Sequence, residues 1–215
     1  MVLLRLGPGA AAKEKRLVAL LAGRDPAGLG LDAAVTDAQV AGSLELAGEA
    51  TPSAAARLRE AVRAVDPRSP LTVDALVAWH RALGLEAGYR TRERSRELGP
   101  PPAPPEFIES RLAILEDWLG VESSRELKAA QAGALAMARI LEILPFAHGN
   151  GRVARLAASH LMVRAGARPP ILVGADAPRL EACVAAAFQL ATEPLTGLLE
   201  EASERALDVM IGVLG

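Results

Sequence analysis

The chain has 215 residues, which is enough for one domain that buries a sizeable core. Alanine and leucine dominate while aromatic residues make up only 3%, a balance that favours packed helices over a sheet and predicts an all-α fold. The formal charge of -2 comes from acids and bases scattered along the chain, so there is no basic stripe for nucleic acid and no polybasic membrane anchor.

The single cysteine, Cys183, excludes an intrachain disulfide and gives no sign of an oxidising compartment. The apolar stretch 1–6 is too short for a signal sequence, and no apolar run reaches the length of a membrane-spanning helix. We therefore expect a soluble, cytoplasmic protein that has no membrane partner.

Four helices are predicted before residue 88, from apolar residues at helical spacing and from caps or stops at their ends. They cover the segments 17–21, 32–46, 51–65 and 72–83. Thr51, followed by Pro52, and Thr72 mark the clearest starts, because a threonine side chain accepts a free backbone N–H of the first turn.

The helical pattern breaks between residues 88 and 105. Arginines alternate there with polar residues; they are Arg90, Arg92, Arg94 and Arg96. The run 100–105 contains five prolines and cannot be helical. We predict an exposed, mobile ribbon here, with a short β-hairpin over 88–98 as the only β-structure.

Further helices follow the proline run and bring the expected total to seven to nine. They cover the segments 107–119, 123–144, 152–165, 176–190 and 195–214. The helix over 123–144 has hardly any polar face, so we expect it at the centre of the fold. Ser123 and Glu126 form a capping box at its start.

The segment 144–155 joins two of these helices and reads Leu-Pro-Phe-Ala-His-Gly-Asn-Gly-Arg-Val-Ala-Arg. Two glycines flank Asn150, so the backbone can point successive N–H groups into one concavity at the start of the following helix. Arg152 and Arg155 lie on one face of its first turn, where the helix dipole also favours an anion. A polyphosphate suits this chemistry; the alternative is a plain turn with solvated arginines.

This segment resembles the Fic family signature, His-Pro-Phe-x-(Asp/Glu)-Gly-Asn-Gly-Arg-x-x-Arg. The positions that match are Pro145, Phe146, Gly149, Asn150, Gly151, Arg152 and Arg155. The upstream order is also similar, with helices carrying Trp79 and Trp118 on either side of a flap region. The resemblance implies a Fic-like helical fold with a β-hairpin flap, N-terminal helices over 1–66, a Fic domain over 67–215, and one compact unit.

For this chain the resemblance implies a loop that binds a nucleotide, usually ATP. The residues implied to bind the phosphates or the nucleotide are Phe146, Gly149, Asn150, Gly151, Arg152 and Arg155. The family transfers AMP to a Ser, Thr or Tyr hydroxyl of a target protein, and the first signature residue is the histidine that takes the hydroxyl proton.

Two positions depart from the signature. Leu144 stands in the place of the histidine and cannot accept a proton, so AMP transfer should be crippled. His148 stands in the place of the acidic residue that holds magnesium, which prefers oxygen ligands, so magnesium binding is in doubt and we predict no metal site. His148 is either a substitute base or an exposed loop residue.

Many Fic proteins also carry an inhibitory helix with the pattern (Ser/Thr)-x-x-x-Glu-(Gly/Asn), whose glutamate pairs with the second signature arginine, here Arg155. The segment 43–48 is similar to this pattern. Ser43 and Gly48 match its first and last positions, and Ala47 stands in place of the glutamate. The alternative is an ordinary helix end, and Glu45 or Glu49 could still reach Arg155.

Three functions are consistent with these residues. The first is a Fic pseudoenzyme that keeps its phosphate- or nucleotide-binding loop and regulates a partner protein. The second is an active nucleotidyltransferase that uses a non-standard base such as His148, a substrate group or a partner's base. The third is an interaction module that binds no nucleotide. A homo-oligomer stays open in all three.

Overall fold

Helices make up the regular structure of the computed structural model, which describes residues 8–49, 51–86, 88–96, 99–121 and 126–215. They are α1 (Pro8–Leu21), α2 (Leu31–Ala47), α3 (Pro52–Arg63), α4 (Val73–Ala82), α5 (Ile108–Gly120), α6 (Ala129–Ile143), α7 (Asn150–Arg164), α8 (Ala177–Ala187) and α9 (Glu193–Leu214). These residues contain no strand, and the predicted all-α fold is confirmed. None of the described helices is long and apolar enough to cross a membrane.

The starts of α3 and α4 follow the predicted capping chemistry. The Thr51 hydroxyl accepts the backbone N–H of Ala54 at 3.2 Å, and the Thr72 hydroxyl accepts that of Ala75 at 3.2 Å. Pro52 occupies the first turn of α3, where its missing N–H would have had no partner in any case. Each threonine cap stabilises its helix by about 1 kcal/mol. Local sequence therefore sets both helix starts.

The central helix is α6, as predicted, although it begins later than expected. It starts at Ala129, and its N-cap residue, Lys128, makes no side-chain capping bond. Ser123 of the predicted capping box lies outside the described residues. A side chain at Gly133 would come within 3.1 Å of Met162 and 3.3 Å of the Ala158 carbonyl, so this glycine lets α6 and α7 pack closely.

Two hydrophobic clusters hold the helices together. The larger one includes residues of every helix from α2 through α9. Its centre has fully buried side chains, among them Leu58, Leu112, Met137, Ile140, Phe146 and Leu198. The smaller one joins α1, the start of α2 and the end of α9 through Leu17, Val35, Leu207 and Met210. Residues before 67 thus share the larger core with those after it. The boundary between 66 and 67 stays a prediction.

The predicted hairpin flap is not seen, because residues 88–96 form no strand and Leu98 lies outside the described residues. The expectation of an exposed ribbon is wrong for Arg90, which is only 5% exposed, although Arg92 and Arg94 are exposed. The physical reason is that arginine side chains of this segment bond to backbone carbonyls at the end of α6. These bonds replace the ladder that a second strand would have provided.

Candidate functional site

The loop between α6 and α7 makes a sharp turn with two left-handed residues. Leu144 caps α6 with φ 50° and ψ 62°, and its N–H donates to the Ile140 carbonyl at 2.9 Å. Gly149 has φ 78° and is the N-cap of α7. Glycine adopts this conformation freely, whereas for leucine it costs on the order of 1–2 kcal/mol. Contacts around Leu144 must therefore hold the turn in place.

Asn150 closes the loop from within. Its amide nitrogen donates to the Phe146 carbonyl at 2.8 Å, and its amide oxygen accepts the Phe146 N–H at 2.9 Å. The residue is only 7% exposed. One side chain thus satisfies both backbone groups of a buried residue four positions earlier. Asn150 shapes the loop, and its amide is already engaged before any ligand arrives.

Phe146 supports the loop from beneath and is fully buried. Its ring stacks on His80 with 3.9 Å between ring centroids and 7° between planes, and Tyr89 packs beside it. Nε2 of His80 lies 3.1 Å from the His148 carbonyl, to which it donates as the neutral tautomer. Burial lowers the pKa of His80, which favours that neutral form. The Phe146 side chain itself offers no surface to a ligand.

Arg90 holds the loop from the opposite side through its guanidinium. Nε donates to the Leu144 carbonyl at 2.7 Å, and Nη2 donates to Ile143 at 3.3 Å and to Ala103. Nη1 donates to the Arg92 carbonyl at 2.9 Å. The last carbonyls of a helix lack partners within it, and the helix dipole favours a cation there. Arg90 supplies both the hydrogen-bond donors and the positive charge at Leu144, the residue with the positive φ.

Two further arginines bond to the same region. Nη1 of Arg94 donates to the Ala147 carbonyl, and Nη2 of Arg96 donates to Leu141 at 2.9 Å and to Glu142 at 2.7 Å. These contacts are not among the sequence-based predictions. A signal was present, because α6 ends in Leu-Pro with no glycine cap, so donors for its last carbonyls had to come from elsewhere.

Arg152 is buried and paired with an acid from the N-terminal part of the chain. Its Nη1 lies 2.7 Å from Glu49 Oε2. The side chain of Arg152 is 8% exposed and that of Glu49 is 38% exposed. Glu49 follows the end of α2, where its N–H donates to the Leu44 carbonyl past the left-handed Gly48. The chain reversal at Gly48 thus brings a carboxylate to the first signature arginine.

Arg155 has neutral partners only, in the part of the chain that the structure describes. Nε donates to the Ser43 hydroxyl at 2.9 Å, and Nη2 donates to the Ser43 carbonyl at 3.1 Å. Burial, with the nearby charge of Arg152, lowers the pKa of Arg155 to about 10, so the side chain remains a cation at neutral pH. The expectation that Glu45 or Glu49 reaches it is wrong, because Glu45 accepts the Gly174 N–H.

The segment 43–48 therefore lies against the start of α7. Ser43 is buried in that contact, while Ala47 is exposed as the last residue of α2. Gly48 has the φ of 65° that is typical of a residue ending a helix. The contact from Ser43 to Arg155 and an ordinary helix end are thus both present.

A groove of about 480 Å³ opens beside the first turn of α7. Gly151 and Arg155 stand at one end, and Arg96 and Glu181 also line it. The remaining wall is mainly apolar and comes largely from α6 and α8, with Met137, Leu141, Leu180, Val184 and Phe188. Such a lining accommodates a flat organic group next to a bound anion.

The two departures from the signature occupy different surroundings. Leu144 is half-buried, whereas His148 is exposed and engages the site only through its carbonyl. Within the described residues no three His, Cys, Asp or Glu side chains lie close enough together to hold a metal ion. The expectations about a substitute base and about magnesium stay predictions.

Comparison with known proteins identifies the loop and the helices around it. The model of the Fic/DOC family matches residues 70–162, which include α4 to α6, the whole loop and all of α7 except its last two residues. Residues 70–162 thus form a Fic/DOC domain. Among curated relatives, "Protein adenylyltransferase Fic" of Nematostella vectensis is 36% identical over 109 residues, which cover 48% of this chain and 25% of the relative. This chain thus matches about a quarter of that protein's length.

Solved Fic structures share the fold over nearly the whole chain. A Fic domain containing signaling protein from Bacteroides thetaiotaomicron superposes with a TM-score of 0.80 at 19% identity, covering 96% of this chain and 97% of that one. IbpAFic2-H3717A, in complex with adenylylated Cdc42, gives a TM-score of 0.61 at 18% identity, covering 91% and 70%. The likeness therefore extends to the N-terminal helices, which lie outside the segment that the family model matches.

Proposed function

We propose that the chain binds the phosphates of a nucleotide at the start of α7 and that it has lost efficient AMP transfer. The observation that supports this most is Arg155. It is a cation in a largely buried position, its described partners are the neutral groups of Ser43, and it borders an open groove. A buried charge without a counterion favours an anionic ligand.

The backbone geometry supports the same ligand. Gly149 directs the chain into α7, so the free N–H groups of the first turn and the positive end of the helix dipole face one region. A phosphate there can accept hydrogen bonds from these N–H groups and from the Arg155 guanidinium. Arg152 becomes available only if the phosphate displaces Glu49, so binding includes a competition between two anions.

Loss of transfer is proposed from the groups that surround the loop. Leu144 cannot take a proton from a target hydroxyl, and a positioned general base contributes typically about 10²–10⁴-fold in rate. His80, the other histidine in contact with the loop, is buried and engaged with the His148 carbonyl. His148 is exposed and stays the alternative base for an active transferase.

A protein is the partner that the comparisons favour. The curated relative is named a protein adenylyltransferase, and one matching structure holds adenylylated Cdc42. We propose that this chain likewise engages a protein while a nucleotide occupies its loop, and that it regulates this partner. We also propose a location in the cytoplasm, because the single cysteine gives no sign of an oxidising compartment.

Calorimetric titration of the whole chain with ATP, with and without magnesium, tests this proposal. We expect binding that Arg155→Ala weakens by about 1.5–3 kcal/mol, because a charge-assisted bond is lost. Arg179→Ala is the matched control, since Arg179 is an exposed arginine paired with Glu201 away from the loop.

Mass spectrometry of the same samples reports on transfer. We expect no AMP adducts on the chain after incubation with ATP and magnesium. Adducts from the unchanged protein would favour the alternative base. Equal binding by the Arg155 variant would refute the role of Arg155, and no binding by the unchanged chain would favour a module that binds no nucleotide.

A further inference from the structure

Arg96 lines the groove and keeps part of its hydrogen-bonding capacity unused among the described residues. Its Nη2 is engaged by the carbonyls of Leu141 and Glu142, which fixes the side chain against the end of α6. The guanidinium carbon lies 4.6 Å from the centre of the Phe188 ring. Its Nε is buried without a partner, and among the described residues Nη1 has none either. A rigidly held cation thus keeps donors unpaired beside an open groove.

The groove connects this cation to the proposed phosphate site. Arg155, Gly151, Arg96 and Phe188 all line it. The volume of about 480 Å³ falls in the range of small-molecule sites, roughly 300–1,000 Å³. A nucleotide whose phosphates meet Arg155 would therefore place its base in the same groove as Arg96.

The described lining has few polar side chains, and each offers either hydrogen-bond donors or hydrogen-bond acceptors. Arg96 has donors only, and the carboxylate of Glu181 has acceptors only. Guanine offers the carbonyl O6 to a donor, and its N1–H and 2-amino group to an acceptor. Adenine instead carries an amino group at position 6, which opposes the guanidinium. Arginine pairs with guanine O6 in the same way when proteins read nucleic acids.

We propose that this groove selects guanine nucleotides over adenine nucleotides, with Arg96 as the residue that determines the choice. The inference rests on the nucleotide binding proposed above and specifies its substrate class. Arg96 Nη1 donates to O6 of the base, Phe188 and its apolar neighbours cover the base, and Glu181 at the exposed rim accepts from N1–H and the 2-amino group. An adenine in the same position would place its 6-amino donor where guanine offers O6, so Arg96 Nη1 would face a donor there and lose that acceptor.

Calorimetric titration of the unchanged chain with GTP, ITP and ATP is the first test. GTP should bind about tenfold or more tightly than ATP, which corresponds to one good base contact. ITP keeps O6 but lacks the 2-amino group, so it should fall between the two. ATP binding as tight as GTP binding overturns the proposal without any need for a variant.

Two substitutions then separate the contacts. Arg96→Met keeps the length of the side chain and removes its donors, so the ratio of GTP to ATP affinity should fall to near one. Glu181→Met, at an exposed position, removes both acceptor oxygens, so it should remove the difference between GTP and ITP and leave the preference over ATP. A ratio that Arg96→Met leaves unchanged contradicts the role of Arg96, provided that thermal unfolding shows the variant to be folded.

Inorganic tripolyphosphate distinguishes this inference from the function on which it rests. If tripolyphosphate binds and both purine nucleotides bind equally, the phosphate site stands and the base selection fails. If neither tripolyphosphate nor any nucleotide binds, the proposed function fails and the base selection fails with it.

Discussion

At the scale of single residues, the partners of the two arginines of the site determine which of them is available to a phosphate. Arg152 is paired with Glu49, whereas among the described residues Arg155 has only the hydroxyl and carbonyl of Ser43 as partners. The two cations are three positions apart on one helix face, and the charge of Arg152 contributes to the lowered pKa of Arg155. An arriving phosphate therefore meets one available cation and one that is already paired.

Replacing Glu49 by glutamine should tighten the binding of tripolyphosphate. The substitution removes the charge that competes for Arg152 while it keeps the size of the side chain. Glu49 is 38% exposed, so solvent screens the pair, and we expect a gain of about 0.5–1 kcal/mol, a factor of two to five in affinity. Calorimetry measures it directly.

Glu45→Gln is the control for this experiment. Glu45 lies in the last turn of α2, four positions before Glu49, but bonds to the Gly174 N–H and to neither arginine, so its loss should leave phosphate affinity unchanged. If both variants gain equally, the effect comes from general charge and the competition at Arg152 is refuted.

At the scale of helices and loops, the segment 88–96 acts as a clamp on the end of α6. Three of its arginines donate to carbonyls at or just beyond that helix end, and they take the place of a glycine cap. The clamp also supports the left-handed Leu144, which would otherwise carry its conformational cost without compensation. The loop is thus held from outside by Arg90 and from inside by Asn150.

Replacing Arg90 by methionine should destabilise the fold and loosen the loop. Four carbonyls lose their donor and several of them are buried, which predicts a loss of about 2–4 kcal/mol in the free energy of unfolding. Urea unfolding measures the loss, and amide exchange across 144–149 should speed up.

Arg94→Met is the comparison, because Arg94 is exposed and makes one such bond. Its effect on unfolding should be clearly smaller. Equal losses from the two variants would mean that the carbonyl contacts of Arg90 add nothing beyond ordinary surface packing.

The boundary between what the sequence predicts and what it misses follows the range of the interactions. Thr51 and Thr72 cap their helices through bonds to residues three positions away, so a local pattern is sufficient. The ion pair between Glu49 and Arg152 joins residues 103 positions apart, and no local pattern reports it. Arg90 was misread for the same reason, since its acceptors lie at the far end of α6.

At the scale of the whole molecule, α1 packs against the last turns of α9 in the smaller cluster. Lys13 pairs with Glu204 and Asp208, and Arg168 pairs with Glu14. The larger cluster includes buried residues of α7, and the two buried histidines pack against it, His80 on Phe146 and His160 beside Trp79. Stability therefore depends on two apolar clusters, and the one next to the site also buries two titratable side chains.

The free energy of unfolding should consequently fall as the pH drops below about 6.5. Burial lowers the pKa of both His80 and His160 from 6.5 in the folded chain. On acidification the unfolded chain takes up protons first, so it binds more protons than the folded chain and stability decreases. The stabilisation is complete above pH 6.5 and is lost progressively toward the lower folded pKa values, with a slope of at most about 1.4 kcal/mol per pH unit for each histidine.

Urea unfolding at a series of pH values from 5 to 8.5 measures this dependence. Between pH 7.5 and 8.5 both histidines are neutral in either state, so their contribution there should be flat and serves as the internal reference. The acidic groups with lowered pKa values, Asp66, Asp176 and Glu201, act only at lower pH, because their reference values lie near 4. His80→Gln should therefore reduce the slope between pH 5 and 6.5. If neither His80→Gln nor His160→Gln changes the slope, the buried histidines do not cause the loss of stability at acid pH.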